Sequence, residues 1–130
     1  TDRGTLKLHI VGRAWGTPGS QNGNGFVESA CECDTGLLQA GQDHQILFNV
    51  DGGPKLMTVM VDGVLGDGGA DRQFGWSRFH PALMEPNGAP QATLAPSLKG
   101  TLLGLRLYGR YLLTSEGVAN WRADGEQTTG

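Results

Sequence analysis

Residues 5–11, TLKLHIV, alternate strictly, with Leu6, Leu8 and Ile10 on one face and Lys7 and His9 on the other. That period of two predicts a half-buried strand. HQILFNV, residues 44–50, repeats the pattern with Ile46, Phe48 and Val50 set against Leu47 and Asn49. LMTVMV, residues 56–61, is the strongest strand signal in the chain. TLLGLRLYGRYLL, residues 101–113, puts Leu103, Leu105 and Leu107 on one face and Arg106 and Tyr108 on the other, which predicts a late strand. FVESACEC (26–33) is a weaker candidate and ATLA (92–95) a short one. Between them, GTPGSQNGNG (16–25) and MEPNGAPQ (84–91) predict loops, and Gly36 and Gly41 bracket a short turn region. After residue 113 the alternation stops. Ser115 is a candidate N-cap for a short terminal helical turn, with Glu116 favourably placed in its first turn. DGEQTTG, residues 124–130, has no apolar content and predicts a disordered tail. The pattern therefore predicts an all-β antiparallel domain over residues 1–123.

One stretch stands apart. DGGPKLMTVMVDGVLGDGG, residues 51–69, wraps three Asp-Gly steps around a single short strand. Asp62-Gly63 lies between two apolar strand ends, where a type I′ hairpin turn needs positive φ at both central residues. That step needs no ligand to explain it. The third step, in GDGGADRQFGW, opens a loop that ends in aromatics.

The 130 residues suffice for one domain with a core of its own. The 22 glycines follow no period, which excludes collagen and fits many turns. A net charge of −3 without a basic block argues against a nucleic-acid partner. No apolar run approaches the ~20 residues of a membrane-spanning helix. The chain opens at Thr1 without a recognisable signal peptide, and we expect a mature product or an excised fragment. Cys31 and Cys33 sit two apart on a candidate strand. A bridge between them would close a strained ring, and the three scattered histidines complete no zinc pattern. Two unpaired thiols are expected.

HQILFNVDGGPKLMTVMVDGVL resembles the central hairpin of laminin-G-like domains, where a strand after a His leads to a second strand ended by Asp-Gly. LKGTLLGLRLYGRYLLTSEGVANWR resembles the closing segment of the same families in order and spacing. The resemblance runs from about Gly36 to Ala123 and implies a jelly-roll β-sandwich of the laminin-G and concanavalin A-like kind. Fewer strand candidates are present than such sandwiches commonly have, and the match fades before Gly36. An incomplete sandwich would expose strand edges that a second copy could cover, which makes a homodimer through sheet edges a further expectation.

Three chemistries follow for weighing. The jelly roll also hosts glucanases that align three carboxylates on one strand. Here Glu32 and Asp34 fit two positions, the third acid is missing and Glu28 is out of register, so an enzyme is not expected. Laminin-G-like domains often carry a calcium ion at the rim. Asp67 and Asp71 are the best candidate ligands, and plain turn chemistry is the alternative. Glycan binding would use stacking aromatics beside hydrogen-bonding groups. GGADRQFGWSRFH, residues 68–80, carries both, with Asp71, Arg72, Trp76, Arg78 and His80 as candidate ligand residues. The alternative is that Phe74 and Trp76 plug one end of the sandwich. The expected function is a non-catalytic carbohydrate-binding or accessory module of an extracellular or cell-envelope protein. Its partner would be a glycan or glycoprotein. The alternatives are a purely structural protein-interaction domain or a glycan hydrolase fragment.

Overall fold

The computed structural model describes residues 1–14, 25–69, 73–81, 83–85 and 98–128. The expected strand at 92–95, Asp71 and Arg72 lie outside the described residues, as do residues 16–24 of the expected loop at 16–25 and 86–91 of that at 84–91; Gly25, Met84 and Glu85 of these loops belong to strands. The described chain is built mainly of strands in antiparallel sheets, closed by one C-terminal helix. The first sheet holds β1 (Lys7–Ala14) between β2 (Gly25–Glu32) and β7 (Leu83–Glu85). In the second, β4 (Leu56–Val61) is central. It pairs with β3 (Ile46–Asp51) along one edge, and with β5 (Val64–Leu65) and β6 (Trp76–Arg78) along the other.

Alternation decides what each sheet buries. Met57, Val59 and Val61 of β4 join Cys31 and Cys33 of the β2 segment, Phe79 and Leu83 in one hydrophobic cluster. Leu6, Leu8, Ile10, Val27, Ile46 and Phe48 pack against it. The core is thus formed by the inner faces of both sheets, and full burial of a side chain such as Met57 or Val59 contributes about 1.5–3 kcal/mol. Both cysteines are buried and neither forms a disulfide, as expected from their spacing. The Cys33 Sγ accepts a hydrogen bond from the Leu6 N–H at 3.3 Å.

Met60 breaks the alternation of β4, being buried although it faces outward. The cause is α1 (Thr114–Thr128), which lies over the outer face of the second sheet. Gly117 lets it approach: a Cβ there would stand 2.7 Å from the Met60 Sδ and 2.9 Å from the Leu47 Cδ2. Leu47 and Met60 are register partners, so the helix sits across the β3–β4 pair. The helix is far longer than the short turn expected, and it carries the expected tail in helical form as far as Thr128. Ser115 is not its cap. Glu116 caps the helix from inside by accepting the Leu113 N–H at 2.8 Å, the return half of a capping box.

Residues 101–113 are not a strand, contrary to the alternation. Arg106 makes a bidentate pair with Asp124 (2.7 and 3.1 Å), Tyr108 Oη accepts a bond from Asn120 (3.1 Å), and Arg110 pairs with Glu116 (2.6 and 2.9 Å). These contacts make the segment an arm running antiparallel to α1, with its polar side chains on the helix. Bends at Gly109 and Arg110 interrupt it, and the expected late strand does not form. The arm is anchored where Asn49 holds both backbone groups of Leu112, donating to its C=O at 2.7 Å and accepting its N–H at 2.8 Å.

Candidate functional site

The aromatic end of the 68–80 segment forms β6, a strand that sequence reading placed in a loop. Its three residues extend because β4 offers them an edge, with Thr58 opposite Trp76 and Leu56 opposite Arg78. Opposed residues share a face. Trp76 and Arg78 therefore lie on the outer face of the second sheet, which α1 covers only at its other end, around Met60. Across β4 the rows continue to β3: Trp76, Thr58 and Asn49 in one, Arg78, Leu56 and Asp51 in the next.

Phe74, two residues before Trp76, stacks on it with ring centroids 4.9 Å apart and an interplanar angle of 12°. The pair is 48% and 40% exposed, so these rings do not plug the core. Phe79 does that instead, buried with the Lys55 ammonium 5.7 Å from its ring centroid. Lys55 also donates to the Pro81 and Leu83 carbonyls (2.8 and 3.2 Å), tying the end of β6 to β7. The result is a stacked, partly exposed aromatic pair at a paired strand, with the half-buried Thr58 opposite Trp76, the exposed Arg78 on the same face, and Asp51 in the Arg78 row two strands away. One Asp51 oxygen accepts the Gly53 N–H at 3.0 Å. Thr58 and Asp51 were not legible as site residues, because only strand register sets Thr58 opposite Trp76 and Asp51 in the row of Arg78.

His80 is exposed and leaves this row. Its backbone N–H donates to the Ser29 hydroxyl at 2.8 Å, which draws it toward the first sheet. Trp76 and Arg78 are thus brought together, and His80 is held apart from them.

The acidic turns have a different use. The Asp34 carboxylate accepts the N–H groups of Asp67 and Gly68 at 3.2 and 3.3 Å, and Asp67 accepts the Gly69 N–H at 2.8 Å. The third Asp-Gly step therefore presents backbone donors to a carboxylate. Calcium takes six to eight oxygens. Among the described residues no group of three or more His, Cys, Asp or Glu side chains could hold a metal, and Asp71, the other candidate ligand, lies outside them. A shallow pocket of about 120 Å³ beside this turn is lined by Arg3, Glu32, Cys33, Asp34, Thr35, Gly68 and Gly69. Within it, the Thr5 hydroxyl bonds Glu32 and holds its carboxyl below the usual range, against a smaller opposing effect of burial. On the outer face of the first sheet Glu28 is bonded to His9.

Among the described residues no helix is long and apolar enough to cross a membrane. No family model, curated protein or solved structure matches this chain.

Proposed function

We propose that the chain is a non-catalytic carbohydrate-binding module on a jelly-roll β-sandwich of the laminin-G and concanavalin A-like kind, from an extracellular or cell-envelope protein. Two antiparallel sheets sharing one cluster support that architecture. The observation that carries the function is the stacked, exposed Phe74–Trp76 pair. Sugar rings stack their C–H faces on such surfaces. Arg78 and Thr58, on the same sheet face, would supply hydrogen-bonding groups for the sugar hydroxyls. A second reading, a structural protein-interaction domain, draws support from the leucines exposed along the arm.

Glycan-array screening, with calcium and with chelator, followed by titration of the best glycan, tests the proposal. We expect Trp76→Ala to weaken binding at least tenfold without changing the melting temperature. Binding to no glycan, or equal binding by Trp76→Ala, overturns it.

A further inference from the structure

His44, two residues before β3, is bonded through both ring nitrogens. The Gln39 N–H donates to Nε2 at 2.9 Å, and Nδ1 lies 2.7 Å from the Asp62 Oδ2. A backbone N–H can only donate, so Nε2 accepts and carries no proton. The proton of the neutral ring is therefore on Nδ1, which donates it to Asp62. The other Asp62 carboxylate oxygen accepts the Gln45 N–H at 2.9 Å, and the Asp62 N–H donates to the Gln45 C=O at 2.9 Å. The imidazole thus links the turn at 39–42 to the β4–β5 hairpin turn, and it does so in one tautomer only.

What it holds is part of the connection between the two sheets, residues 33–45. The first half of that connection is fixed independently. Asp34 is bonded to the Asp67 and Gly68 N–H groups, and Leu38 packs against the core cluster. Beyond Leu38, residues 39–43 are all exposed. The Gln42 N–H donates to the Gln39 C=O within the turn at 3.3 Å, and Gly41 takes a φ of 80°. Among the described residues, the Gln39–His44 bond is the one hydrogen bond that joins 39–43 to residues outside that segment.

A second proton on the ring can enter only at Nε2. There it sets an N–H against the Gln39 N–H, two donors with no acceptor between them. The same proton strengthens the bond to Asp62, which becomes charge-assisted. Asp62 is the charged group that faces the ring from the hairpin. From the connection, the exposed Asp43 adjoins it in sequence. α1 lays Trp121 on Gly63, with Arg122 exposed beside it and Asp124 engaged by Gln45 at 2.6 Å and by Arg106 of the arm at 2.7 Å.

We propose that His44 is a proton-operated latch: its neutral Nδ1–H form holds residues 39–43 to the hairpin, and its protonated form releases them while keeping Asp62. Histidine changes charge between about pH 5 and 8, so mild acidification operates the latch. It is separate from the Phe74–Trp76 pair and stands whether or not a glycan binds there.

Nitrogen-15 NMR of the histidine rings, combined with amide hydrogen exchange from about pH 8 to about pH 5, tests this. At the upper end the ring shifts of His44 should show a protonated Nδ1 and a bare Nε2. As the ring charges, protection of the Gln39 amide, corrected for its intrinsic exchange rate, should fall at least about fivefold, and that of Gln45 should not fall. His44→Asn, whose shorter side chain can reach Asp62 but not Gln39, should leave the Gln39 amide unprotected at every pH. His9→Asn and His80→Asn should keep the wild-type response. An Nε2–H tautomer at the upper end, a Gln39 protection that ignores the charging of His44, an equal loss at Gln45, or a ring that stays neutral across the range overturns the proposal.

Discussion

The indole of Trp121 lies on the backbone of Gly63. A Cβ at Gly63 would stand 2.9 Å from the Trp121 Cε3 and 3.1 Å from its Cδ2. The β4–β5 hairpin turn and the C-terminal helix, far apart in sequence, therefore meet at a glycine. The turn has Asp62 at φ 52° and Gly63 at φ 74°, the two positive values of a type I′ turn.

Gly63→Val should destabilise the protein for two separable reasons. A β-branched residue resists positive φ, at a cost of about 1–2 kcal/mol. Its side chain would also push Trp121 off the turn. Urea unfolding should show a total loss of about 2–3 kcal/mol. Gly63→Val combined with Trp121→Ala should recover only the steric part, so the double mutant should lose less than the sum of the single losses. Strict additivity would mean that the ring and the turn do not meet.

Asn49 acts as a surrogate strand neighbour. Its amide bonds both the N–H and the C=O of Leu112, whose side chain is buried on the outer face of the second sheet. Asn49→Ala leaves two part-buried backbone groups without partners and should cost about 2 kcal/mol. Hydrogen exchange should also quicken at Leu112 and in the first turn of α1. An unchanged melting temperature would show that the arm is not anchored there.

Glu116 connects the arm, the helix start and pH. The Arg110 guanidinium, and after it the Leu113 N–H, pull its carboxyl from 4.5 down to about 2. A carboxyl depressed by folding stabilises the fold fully above its unfolded value and loses that effect as pH falls through its folded one. The loss should therefore run from near 4.5 to about 2. The group is exposed, so salt should weaken the ion-pair part. Thermal melts of wild type and Glu116→Gln should differ near neutrality and converge as the pH approaches about 2. A constant gap across that range would assign the effect of the substitution to something other than this charge.

Much of the strand content follows from the order of residues alone. Alternation marked β1, β3 and β4, and Asp62-Gly63 marked the hairpin, because side-chain period and positive φ are local properties. The i, i+2 spacing of Cys31 and Cys33 was enough to expect unbridged thiols. Trp76 stood out in the sequence as a candidate ligand residue, but Phe74 was expected only as a plug, and the stacking of the two and their register with Thr58 are relations the sequence does not show. Tertiary structure alone decided the rest. β6 and β7 are three residues each, too short to show a period, and they extend because β4 and β1 offer them edges. Alternation in 101–113 recorded two unlike sets of side chains but not a strand, which does not form there. It could not record that the polar face would meet α1. A repeating pattern tells which side chains share a face, and the neighbour that face meets depends on contacts between distant parts of the chain.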